Sequence, residues 1–156
     1  MPTPTQNLQV ARATTGFIVS RAAAVAPTVA QSPQNLFTVS GGRIIVVSLV
    51  AEVTTIFDAT AYTLKVSGKP TAGTQVDWSA VSASLANLEV GGKLTLPAAA
   101  ATALVSGNAG GVIARQAAWV CAVGTIVATG SATQTGALKW DLHYVALDSA
   151  ASVVAA

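Results

Sequence analysis

The stretch "RIIVVSLVAEVTTIF", residues 43–57, decides the fold. It is dense in β-branched residues, which fit a pleated surface far better than a helix. Alternation places Ile45, Val47, Leu49, Ala51 and Val53 on one face, and Ile44, Val46, Ser48, Val50, Glu52 and Thr54 on the other. The first half is therefore apolar on both faces and the second half on one. Such a strand starts between two layers and ends with one side against water or a partner.

The flanking sequence continues the β pattern. Residues 35–40, "NLFTVS", read as a short strand closed by Gly41-Gly42, and residues 61–67, "AYTLKVS", alternate with Tyr62, Leu64 and Val66 inward. Residues 68–74 read as a turn, and residues 75–85 as one or two strands anchored by Trp78. "NLEVGGKLTLP", residues 87–97, is expected to be a tight hairpin turning at Gly91-Gly92. In residues 97–111 a leading proline, an alanine run and a glycine-rich exit fit a short helix, or equally a long loop.

Residues 117–136 resume with two strands around Gly124. In the final long strand Leu138, Trp140, Leu142 and Tyr144 alternate with Lys139, Asp141 and His143, and "ASVVAA" ends the chain as an edge strand or a tail. Many short strands without βαβ alternation predict an all-β fold. The expected form is an antiparallel β-sandwich or jelly roll, with at most one short helix.

Residues 1–34 differ from the rest, being rich in Thr, Ala, Gln and Pro. Only "GFIVS" within them has strand character, so the segment offers too little apolar surface to order alone. Two domains are expected: an extended N-terminal arm over 1–34 and a β-sandwich over 35–156. The arm is expected to lay Phe17, Ile18 and Val19 as an added strand on a neighbouring subunit, with Arg12 and Arg21 as salt-bridge donors. A locally folded terminus is the competing reading.

Charge is scarce: 9% of 156 residues, against about 25% in an average domain. A chain with so little charged surface is expected to hide much of it against copies of itself or a larger assembly. The net charge of +2 comes from eight scattered Lys and Arg, none adjacent, which argues against nucleic acid as a partner. No segment reaches the roughly 18 apolar residues of a membrane span. The N-terminus lacks a basic cluster followed by an apolar run, so synthesis and folding in a cytoplasm are expected.

Catalytic chemistry finds little to work with. Lys139, Asp141 and His143 lie on one face of one strand, about 6.5–7 Å apart by strand rise. A triad would also need a nucleophile on the single histidine, and neither a G-x-S-x-G elbow nor a Ser-x-x-Lys pair occurs. The row reads instead as a solvated face pairing its charges across strands. The six acids are scattered, Asp58 alone falls far short of a calcium shell, and one His with one Cys cannot make a usual zinc site. The glycine-rich residues 106–111 lack the Lys-Ser/Thr of a phosphate-binding loop. Cys121, among apolar neighbours, reads as a small buried hydrophobe. No enzyme activity, cofactor or metal is expected.

Two stretches together carry a resemblance: "GRIIVVSLVAEVTT" at residues 42–55 and "GALKWDLHYVALDSAASVVAA" at residues 136–156. A Gly-Arg strand ending in Glu-Val-Thr-Thr, followed by a C-terminal Gly-Ala-x-Lys-Trp strand and an Ala-rich tail, resembles small structural proteins encoded near the major capsid gene of tailed bacteriophages. The likeness covers residues 40–156 and includes "PAAAATALV". It implies a virion protein of the decoration, or cement, type on the capsid exterior. Such proteins are commonly homotrimers that bridge major capsid protein subunits. Two rivals stand beside this reading. One is a tail, baseplate or neck component. The other is a carbohydrate-binding host-attachment module, which would need Trp78 or Trp119 exposed.

Overall fold

The structure, a computed structural model, describes residues 15–27, 33–112 and 115–156. Eleven strands form among them: β1 (Phe17–Val25), β2 (Gln34–Ser40), β3 (Ile44–Thr55), β4 (Leu64–Pro70), β5 (Val76–Asp77), β6 (Lys93–Thr95), β7 (Val105–Gly107), β8 (Trp119–Cys121), β9 (Gly124–Gly130), β10 (Ala137–Ala146) and β11 (Ser152–Ala155). They make two antiparallel sheets. One runs β1-β10-β3-β6-β7, with β8 also on β3; the other runs β11-β2-β9-β4-β5. A single hydrophobic core lies between them, fed by Leu49, Val53, Leu94 and Trp140 from the first sheet and Phe37, Leu64, Val66 and Ile126 from the second. The fold is the expected antiparallel β-sandwich.

The long β3 explains its own double-apolar start through a bulge. Its pairing with β10 steps from Ser48 opposite His143 to Val46 opposite Tyr144, which leaves Val47 as an extra residue. Before the bulge Ile44 and Val46 are buried; after it Leu49, Ala51 and Val53 are. The expectation that residues 45–53 keep one phase is thus corrected. One inserted residue exchanges the faces, because strand side chains repeat with period two. Val47 itself is 37% exposed.

The other edge of β3 is filled in sections. Ile44–Val46 pair with β8, the Leu49 amide donates to Gln116 Oε1 at 2.9 Å, and Val50–Glu52 pair with β6. A side chain thereby bridges the gap where no strand runs, and the backbone donor of a central strand stays satisfied. Serines do the same for β4. Ser79 and Ser82 hydroxyls accept from the Val66 and Leu64 amides at 3.1 Å each. Of the one or two strands expected in residues 75–85, one forms, β5, and residues 78–85 continue along this sheet largely as loop.

Two further expectations are corrected, and two open alternatives resolve. Residues 97–111 resolve toward the loop reading, as turns and the short strand β7 rather than a helix. An isolated helix of that length is marginal, and β6 offers its edge to residues 105–107 instead. Residues 87–92 form turns rather than the first strand of a hairpin; the Phe57 amide donates to the Leu88 carbonyl and the Gly91 amide to that of Val53. The arm is not wholly separate from the sandwich, because Phe17–Val25 pair as β1 with β10 of the same chain. β10 has an open edge, and β1 is the nearest alternating segment able to meet its unpaired backbone groups. The C-terminal alternative resolves as a strand, β11 on β2.

The alternation of β10 matches the sequence: Leu138, Trp140, Leu142 and Tyr144 are all buried. Trp140 is 1% exposed and among the largest enclosed side chains. Trp140→Ala should lower unfolding stability by about 3–5 kcal/mol in urea denaturation, the range for a buried aromatic cut to alanine. A loss below about 1 kcal/mol would contradict this placement.

Candidate interaction surface

The six carboxylates and the single histidine are each occupied in holding backbone or neighbouring strands. Glu52 on β3 takes Lys93 of β6 at 3.2 Å and Lys139 of β10 at 3.8 Å, one carboxylate between two ammonium groups across three strands. Asp141 accepts from Ser20 Oγ on β1. His143 Nε2 donates to the Thr15 carbonyl at 2.6 Å. The row Lys139–Asp141–His143 therefore satisfies three different partners on three different segments, as expected of a solvated sheet face.

The remaining acids are placed likewise. Asp58 takes the Thr60 amide on one oxygen and Thr135 on the other, which holds its carboxyl below the ordinary range. Asp77 takes Lys65 at 2.7 Å and Ser67 at 2.6 Å and is also lowered, chiefly by the Lys65 bond. Glu89 accepts from the Ala109 amide. Asp148 meets the Arg43 guanidinium through two oxygens at 3.0 and 3.1 Å and takes the Arg43 amide at 2.7 Å. Among the described residues no group of three or more His, Cys, Asp or Glu could hold a metal ion, and no helix is long and apolar enough to cross a membrane.

Aromatic placement bears on glycan binding. Trp78 and Trp119 stack on each other, centroids 5.7 Å apart and planes 13° from parallel, and Trp78 lies over Gly68, where any Cβ would stand 2.9 Å from the indole. Trp140 and Trp78 are enclosed, at 1% and 3% exposed, whereas Trp119 is half-buried with one face against Trp78. Beside the pair runs an apolar groove of about 170 Å³ lined by Gly68, Pro70, Val76, Trp78, Val120 and Cys121. Burial pushes the Cys121 thiol up to about 11, consistent with an inert residue.

Part of what the structure leaves uncovered is apolar. On the outer face of the first sheet Val145, Ile45 and Val120 stand opposite one another across β10, β3 and β8. Val120 is 63% exposed, and Val47 of the bulge adds to the same end. Ile18 on β1, opposite His143, is 73% exposed. This face is thus split, with aliphatic residues toward the start of β3 and the Lys93–Glu52–Lys139 row toward its end. The bulge that exposes Val47 is the feature sequence reading missed; its signal was the run of apolar residues in both phases.

The site residues expected on the arm separate. Arg12 lies outside the described residues. Phe17 stacks on Tyr144 at 5.4 Å, Val19 packs partly against the core, and Ile18 points outward. Arg21 donates from Nε to the Ala156 carbonyl at 3.1 Å, while its NH1 is buried without a partner and burial lowers its pKa. Gly16 fixes where β1 begins: its φ is +83°, and a Cβ there would stand 2.6 Å from the Tyr144 carbonyl and 2.7 Å from His143 Nε2. Compared with known proteins, the chain matches no family model, no curated protein and no solved structure.

Arg43 depresses the Asp148 carboxyl to about 2, mainly through its side-chain hydrogen bond. A lowered carboxyl pKa stabilises the fold above the unfolded value near 3.8, and that contribution fades as pH falls toward about 2. Asp148→Asn should therefore flatten the fall of melting temperature across that window, leaving the share due to Asp58 and Asp77. Superimposable Tm profiles for the two proteins would contradict the pairing.

Proposed function

We propose that this chain is a non-enzymatic structural subunit, a bacteriophage capsid decoration protein that binds the shell of major capsid protein and braces it, as a homotrimer. The observation that carries the assembly part of this reading is the aliphatic row Val145–Ile45–Val120, half-buried at its first two members and exposed at Val120, with exposed Ile18 on the same face of a chain of only 9% charged residues. The resemblance of residues 42–55 and 136–156 to capsid-associated phage proteins supports the virion part.

The physics of such binding is area and fit rather than chemistry. A standard interface takes about 800 Å² from each partner, roughly a tenth of the 7751 Å² this chain exposes. The side chains of the row itself carry no charge to strip of water, so their burial incurs no large desolvation cost. Three copies held together engage the shell with an effective concentration that a single copy lacks. The occupied carboxylates are consistent with a protein whose charges hold its own strands in place.

Val120→Asp or Ile45→Asp should weaken co-sedimentation with undecorated shells at least tenfold while changing the melting temperature by only a few degrees. Wild-type decoration by both variants would remove this face from the mechanism. Failure of the wild-type protein to bind shells, alongside its presence in purified tails, would transfer the chain to the tail or neck.

A further inference from the structure

We draw no further inference here: the strongest candidate, the apolar groove beside the Trp78–Trp119 stack, where β4 and β5 of one sheet face β8 of the other, is an unpartnered surface and nothing in the structure shows what covers it.

Discussion

The structure depends on one pairing, β3 against β10. It is the longest ladder in the molecule, running from Ala137 opposite Thr55 to Ala146 opposite Ile44. It sets Leu49, Ala51 and Val53 beside Leu138, Trp140 and Leu142 as one wall of the core. Everything else in that sheet attaches to one of these two strands or to β6. The bulge at Val47 lets a single strand serve two neighbours in sequence, β8 before it and β6 after it, with Gln116 closing the space between them. A bulge also increases local twist, which helps the first sheet curl over the second.

Much of this was legible in the sequence, because strand alternation is local. The β10 pattern, the two strands flanking Gly124, and the inward Tyr62, Leu64 and Val66 follow from period-two spacing alone. The failures have a common cause. The hairpin expected at Gly91-Gly92, and the helix weighed equally with a loop in residues 97–111, were read from local propensity, whereas the conformations there are set by distant edges. β6 needed a partner beyond β3, and residues 105–107 supplied it. The serines of residues 78–82 likewise look unremarkable until the bare amides of Leu64 and Val66 are in place. Apolar residues in both phases of β3 signalled the bulge but could not place it, since the step at Val47 is set by pairing with β10.

The candidate surface was legible only in its logic. Low charge pointed to a partner, but which residues would meet it depended on the bulge and on the seat of β1. Sequence reading grouped Phe17, Ile18 and Val19 as one apolar strand. The structure divides them, turning Phe17 onto Tyr144 and leaving Ile18 outward. The row Lys139–Asp141–His143 shows the converse. Its residues invite a catalytic reading as a string, and pairing with Glu52, Ser20 and Thr15 gives each an ordinary structural role.

Amide hydrogen exchange tests the central claim most directly, namely that the β3–β10 pairing is the hub and β1 an accessory strand. The slowest amides should fall in Leu49–Val53 and Leu138–Tyr144, exchanging only with global unfolding, while those of β1 exchange through local opening at least tenfold faster. Equal protection across β1, β3 and β10 would contradict this account and make β1 an integral part of the sandwich.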